Sequence, residues 1–169
     1  MSSPLRIVFM GTPCFAVPSL QGLLDGLDEV VGVICQPDQK QGRGRKLSPP
    51  PIKALAEQAG IPVFQPTCIC DDAFFATMNS LQPDLAVVVA YGRILPARVV
   101  HLPRLGTINI HGSLLPKYRG AAPIQRALIN GEQETGVTVM QMDKGMDSGD
   151  ILLPVSLPIT ADDTSGKRI

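Results

Sequence analysis

Two polar stretches hold residue types and spacings that could do chemistry. The first is "INIHGSLLPKYRG", in which a short apolar run ends at Asn109-x-His111. In an extended strand, side chains two apart project to the same face, so the Asn109 amide and the His111 imidazole would stand side by side. The second is "DKGMDSGD", residues 143–150, which is rich in carboxylates. Each has a bland alternative: a histidine at a strand end is commonly a hydrogen-bonded side chain with no chemical role, and Gly, Asp and Ser dominate ordinary turns. Taken together they suggest more. A carboxylate near an imidazole raises its proton affinity and orients the ring for proton transfer. An Asn amide beside it can donate to a developing oxyanion. Such a set suits attack of an amine on a carbonyl, with no Ser or Cys nucleophile.

These residues must be positioned by strand ends, and the rest of the chain supplies strands. Apolar, β-branched runs at residues 5–10, 30–35, 85–90 and 106–111 read as buried strands, with a short one at 62–64. Helical spacing marks Ala16, Leu20, Leu23, Leu24 and Leu27, then residues 52–59, 71–81 (capped by Asp71 or Asp72) and 123–130, closed by Gly131. Residues 137–142 and 151–157 are the last strands, a candidate pair near a sheet edge. This alternation predicts an α/β fold, a Rossmann-like, mostly parallel sheet with helices on both faces. Ligands of such sheets bind at the carboxyl ends of the strands, where Gly11-Thr12-Pro13, Gln36-Pro37-Asp38, Tyr91-Gly92 and residues 109–113 fall. Gly11 lies in "FMGTPCFA", which lacks the G-x-G-x-x-G fingerprint, and no P-loop is present. Gly11 is therefore expected to serve a tight strand-to-helix turn.

Composition narrows the partners. At 169 residues and 44% hydrophobic, the chain can bury the core of one domain. Fifteen basic and fifteen acidic residues cancel, so contact with nucleic acid must come from a local patch. One such patch exists: Lys40, Arg43, Arg45 and Lys46, interleaved with Gly42 and Gly44. Alone it reads as a solvated loop. The four cysteines lack CxxC spacing and do not pair with the two histidines, which argues against a zinc site. The start is not a signal peptide, and no apolar run approaches the roughly 18–20 residues of a membrane span. A cytoplasmic chain with reduced thiols is expected.

The segment from Gly106 to Leu152 resembles the signature region of the folate-dependent formyltransferases. There the Asn-x-His pair and a later Asp form the catalytic trio, which maps onto Asn109, His111 and Asp147, with the gap of 147 − 111 = 36 residues that the pattern expects. "QPDQKQGRGRKL" and "SLLPKYRGAAPIQ", with "FMGTPCFAVPSL" and "VVVAYGRILP", are similar to the branch of that family acting on methionyl-tRNA. The resemblance runs from about residue 6 to 165. It implies formyl transfer from 10-formyltetrahydrofolate to the amino group of methionine on initiator tRNA, in translation initiation, with no metal required. Ser113, Leu114, Leu115 and Pro116 match the folate-contacting segment, Tyr91 lies at a turn beside the pterin, and Asp147 is counted with both groups. The basic loop is similar to an insertion that clasps the tRNA acceptor end, with Arg43 the first choice for that contact. Tyr118 and Arg119 read as loop packing as readily as ligand contacts.

The resemblance also implies a further helix and a small barrel-like domain beyond "ADDTSGKRI". Residues 1–169 are thus expected to form a formyltransferase catalytic domain, C-terminally truncated, with an uncovered face open to self-association. Two alternatives stand beside the enzyme reading: a binding-only module holding folate or RNA, and a formyltransferase acting on a small amine such as a ribonucleotide or amino sugar. The basic loop argues against the small amine.

Overall fold

The computed structural model describes residues 3–41 and 46–166, with side chains left aside at 40–46. The chain divides into two compact units, Met1–Thr107 and Ile108–Ile169.

In the first unit, β1 (Arg6–Gly11), β2 (Glu29–Ile34), β5 (Val63–Phe64) and β6 (Leu85–Val89) are all parallel, in the order β5-β2-β1-β6. Residue after residue in β1, β2 and β6 is buried, with no alternation, which requires cover on both faces. The helices provide it. α1 (Val17–Leu24), after a 3-10 turn at Cys14–Ala16, links β1 to β2, and α2 (Pro51–Gln58) links β2 to β5, both moving one way along the sheet. α3 (Asp72–Ser80) returns the chain past β1 to β6. Right-handed crossovers in opposite directions place their helices on opposite faces, so the unit is doubly wound. Phe9, Met10, Leu20, Val33, Ile34, Ile52, Met78 and Val89 fill its core; burying each such side chain is worth about 1.5–3 kcal/mol. Asp71, not Asp72, caps α3, its carboxylate accepting the Phe74 N–H at 2.8 Å. Gly11 does serve a tight turn: a Cβ there would stand 2.8 Å from the Ala16 Cβ.

The structure departs from the sequence reading at three places in this unit. α1 stops before Leu27, because the chain turns at Asp25 and the Gly26 N–H bonds the Leu23 carbonyl; Leu27 is left exposed. A small antiparallel hairpin, β3 (Gln39–Gln41) with β4 (Lys46–Ser48), flanks the basic segment. Its polar three-residue strands carry no hydrophobic period to reveal them. A four-residue helix, α4 (Ala97–Val100), follows Pro96 and was equally too short to show a period.

The second unit takes in β7 (Thr107–His111) from its second residue onward, then α5 (Pro123–Ile129), β8 (Glu134–Gln141) and β9 (Ile151–Pro158). β8 pairs antiparallel with β7 on one side and with β9 on the other. β8 alternates, with Gly136, Thr138 and Met140 buried, as a strand covered on one face should. Every residue of β9 is exposed. No helix is long and apolar enough to cross a membrane among the described residues.

Candidate active site

β7 sets the first two groups. Asn109 lies opposite Met140 and His111 opposite Thr138 on β8. Strand alternation puts both side chains on one face, away from Ile108 and Ile110. The loop from β8 to β9 brings the third. Within it the Asp143 carboxylate accepts the Gly145 N–H at 2.8 Å and the Ser148 hydroxyl at 3.1 Å, tightening the turn. Asp147 then takes a left-handed backbone, φ +50°, a conformation that Asp tolerates better than most residues.

The three side chains meet around the Asp147 carboxylate. Its Oδ1 accepts the Asn109 Nδ2–H at 3.2 Å, and its Oδ2 accepts the Gly120 N–H at 2.8 Å. The same Oδ2 lies 3.6 Å from His111 Nδ1, within ion-pair reach of a protonated ring and beyond a hydrogen bond. The other ring nitrogen, Nε2, is 2.9 Å from the Tyr118 carbonyl. That oxygen can only accept, so the contact is a hydrogen bond only when Nε2 carries the hydrogen. His111 and Asp147 are both largely removed from water, with 8% and 16% of their side chains accessible, which strengthens electrostatic interaction between them. The arrangement offers a ring nitrogen for proton transfer, a carboxylate facing it, and a second Asn109 amide hydrogen with no acceptor among the described residues.

The turn after His111 is held by its own hydrogen bonds. Ser113 Oγ donates to the Lys117 carbonyl at 2.6 Å, and Thr138 Oγ1, fully buried, donates to the Ser113 carbonyl at 2.7 Å while accepting the Leu115 N–H at 3.1 Å. Ser113 is therefore engaged inside the turn. Leu114, Leu115 and Pro116 instead face an open groove of about 310 Å³, shared with Lys117, Tyr118, Glu132, Glu134 and Thr135. The same lining carries charge. Glu132 accepts from the Tyr118 phenol at 2.7 Å and from Lys117 Nζ at 3.1 Å, and these bonds hold its carboxyl below the usual carboxylate range.

Tyr91 belongs to the first unit. It follows β6, is buried, and its carbonyl accepts from Thr12 Oγ1 at 3.1 Å and Gln36 Nε2 at 2.9 Å. The strand ends β1, β2 and β6 are thereby tied together. Its phenol has no hydrogen-bond partner among the described residues, and burial pushes its pKa up. Beside it Asp38, Lys53 and Gln65 form a cluster, with Lys53 Nζ 3.0 Å from both Asp38 Oδ1 and Gln65 Oε1. Of the four basic residues, Arg43 and Arg45 lie outside the described residues. Lys40 and Lys46 stand on the paired backbone of β3 and β4, their side chains likewise outside. No group of three or more His, Cys, Asp or Glu is gathered for a metal ion among the described residues.

Sequence reasoning missed two partners of the trio: the Gly120 N–H on Asp147 and the Tyr118 carbonyl on His111. The glycine in "KYRG" was a usable signal for a backbone donor in a tight turn. The Tyr118 carbonyl left no signal, since any residue has one.

Comparison with known proteins covers nearly the whole chain. A family model described as formyl transferase matches residues 5–168. The chain is 58% identical over 162 residues to a methionyl-tRNA formyltransferase from Desulfotalea psychrophila, covering 96% of this chain and 50% of that protein. It thus spans half the length of that curated relative. Among solved structures, a glycinamide ribonucleotide transformylase from Symbiobacterium toebii matches with a TM-score of 0.77 at 23% identity, over 97% of this chain and 78% of that one. At that identity the likeness is one of fold alone. A phosphoribosylglycinamide formyltransferase from Brucella melitensis matches with a TM-score of 0.74 at 28% identity, over 96% and 84% of the two chains.

Proposed function

The chain belongs to the formyl transferase family, and from that premise we propose that it transfers a formyl group from 10-formyltetrahydrofolate to the amino group of methionine on initiator tRNA, in the cytoplasm, to serve translation initiation. The observation that carries this reading is the 58% identity to a methionyl-tRNA formyltransferase over nearly the whole chain.

In this reading Asn109, His111 and Asp147 form the catalytic group. The neutral amine attacks the formyl carbon, a new C–N bond forms, and the bond from that carbon to N10 of the folate breaks. One proton must pass from the attacking nitrogen to N10. His111 Nδ1, the ring nitrogen without a hydrogen-bond partner among the described residues, carries it, and the Asp147 carboxylate 3.6 Å away offsets the positive charge while the ring holds it. The second amide hydrogen of Asn109 donates to the oxygen as it becomes anionic. Holding both substrates in register supplies much of the remaining acceleration.

Leu114, Leu115 and Pro116 are assigned to the folate as an apolar wall. Tyr91 is assigned to the same ligand through its backbone. Lys40, Arg43, Arg45 and Lys46 are assigned to tRNA phosphates, the site where a local cationic patch offsets a neutral chain.

The test is substrate competition. Methionyl-tRNA and small primary amines, including a glycinamide ribonucleotide, are offered together with 10-formyltetrahydrofolate at rising salt. This reading expects formyl on methionyl-tRNA, declining steeply with salt and further reduced by Arg43→Ala. Preferential formylation of a small amine, independent of salt, would contradict it.

A further inference from the structure

We propose that Tyr118 is a positioning residue for His111: its main-chain carbonyl holds the ring proton on Nε2 and so reserves Nδ1 as the nitrogen that gains and loses a proton beside Asp147. The consequence for turnover rests on the formyl-transfer reading above; the tautomer itself does not.

The geometry makes this a real choice between two forms. A neutral imidazole has one N–H and one lone pair. Left to Asp147 alone, the ring would put its hydrogen on Nδ1, toward the carboxylate, and expose the lone pair on Nε2. The Tyr118 carbonyl, 2.9 Å from Nε2, opposes that outcome. With the hydrogen on Nε2, the Nδ1 lone pair faces Asp147 Oδ2 at 3.6 Å, ready to accept a proton and then close on the carboxylate. A protonated ring satisfies both partners at once. Each cycle therefore adds and removes the same hydrogen.

The carbonyl reaches the ring because Tyr118 adopts φ +59°, a left-handed conformation that bulky residues rarely take. Its side chain is pinned from three sides. The phenol donates to Glu132 at 2.7 Å, Asn130 Nδ2 donates to the phenol oxygen at 3.0 Å, and the Arg126 guanidinium carbon lies 5.3 Å from the ring centroid. Lys117 bonds both oxygens of Glu132 at 3.1 Å and steadies that anchor. A strained backbone held by this many contacts next to a candidate active site is the pattern of a built positioning device.

The experiment reads the tautomer directly by NMR of the unliganded chain with 15N-labelled histidine, at a pH well above the ordinary histidine range. The chain has two histidines, so His101→Gln assigns the spectrum by elimination. The parent is expected in the Nε2–H form. Tyr118→Val, whose β-branch resists positive φ, is expected to populate the Nδ1–H form. Tyr118→Gly, which accepts that backbone freely, is expected to keep Nε2–H without the phenol. Turnover in Tyr118→Val should fall about tenfold or more and stay nearer the parent's in Tyr118→Gly, which loses the same phenol, as loss of a positioned acid–base group requires. An Nδ1–H parent overturns the proposal at once, whether or not the variants fold. So does a Tyr118→Val protein with a shifted tautomer and unchanged turnover. An Nε2–H parent that moves no formyl group to any amine would leave this assignment standing and sink the formyl-transfer reading instead.

Discussion

Asn109 donates its amide N–H to Asp147 across 3.2 Å, joining a strand and a loop that lie 38 residues apart in the chain. With the Gly120 N–H on the other oxygen, the carboxylate has a donor at each end and a fixed orientation toward His111. Asp147→Asn removes the charge and, because an amide has a single acceptor oxygen, also loses one of these two hydrogen bonds. Asn accepts the left-handed φ of +50° as readily as Asp, so the loop should keep its path. Turnover is expected to fall by about 10²-fold or more, the scale of acid–base assistance, while the formyl donor's affinity changes far less. Steady-state kinetics alongside equilibrium binding of the donor checks this; turnover within about twofold of the parent would remove Asp147 from the mechanism.

Two described glycines of the second unit, Gly136 and Gly149, meet backbone where a Cβ would stand. A Cβ on Gly136 would run into the Val155 carbonyl of β9 and stand 2.6 Å from Leu114 Cδ2. Gly136→Ala must therefore shift β9 or the turn that lines the groove. A loss of about 1–3 kcal/mol is expected, as for other overpacked positions. Urea unfolding of parent and variant measures it.

Much of this site is legible in the sequence. Asn109 and His111 announce themselves by a two-residue spacing at the end of an apolar run, because strand alternation is a strict period. The buried strands β1, β2 and β6 show as unbroken apolar stretches for the same reason, and Asp71 sits where a helix cap belongs. Resemblance alone selected Asp147 among the carboxylates of its loop, since nothing in "DKGMDSGD" ranks them. The partners that complete the trio stayed hidden. A carbonyl at Tyr118 and an N–H at Gly120 are backbone groups, and a left-handed tyrosine breaks the residue preferences on which turn reading relies. β3, β4 and α4 escaped because three or four residues cannot display a period.

Cysteine reactivity offers a simple check on the first unit. Cys35 is buried at the end of β2, and burial above all pushes its thiol up to about 11, while Cys14, Cys68 and Cys70 are exposed. Near pH 8 the native chain should be alkylated quickly at those three and slowly at Cys35. Peptide mapping after brief iodoacetamide treatment reads this out; equal labelling of all four would place Cys35 at the surface. The sign for stability follows as well. The raised thiol favours the folded state fully below pH 9, and that contribution is lost as pH climbs toward 11.

Acid should loosen the chain at three carboxylates. Asp38, held low by Gln65 and then Lys53, Asp84, held low by the Arg6 N–H and then Arg104, and Glu132, held low by Tyr118 and then Lys117, all lie below their ordinary values. A lowered folded value means stability present above the ordinary carboxylate range and lost as pH falls through it, near about pH 4 and below. Thermal melts between neutral and acid pH test the window. Removing Glu132 with Glu132→Gln should flatten part of that slope, and an unchanged profile would show that its bonds to Tyr118 and Lys117 are not energetically coupled to folding.

The most direct measurement is formyl transfer itself. The chain is incubated with 10-formyltetrahydrofolate carrying a labelled formyl group and with methionyl-tRNA, and the esterified amino acid is released and identified. Label on the methionine amino group, accumulating more slowly by about 10²-fold or more in Asp147→Asn and His111→Ala while both variants remain folded, is the result predicted here. Label that accumulates at the parent's rate in either variant, or that never reaches an amine although the donor binds, would contradict the account.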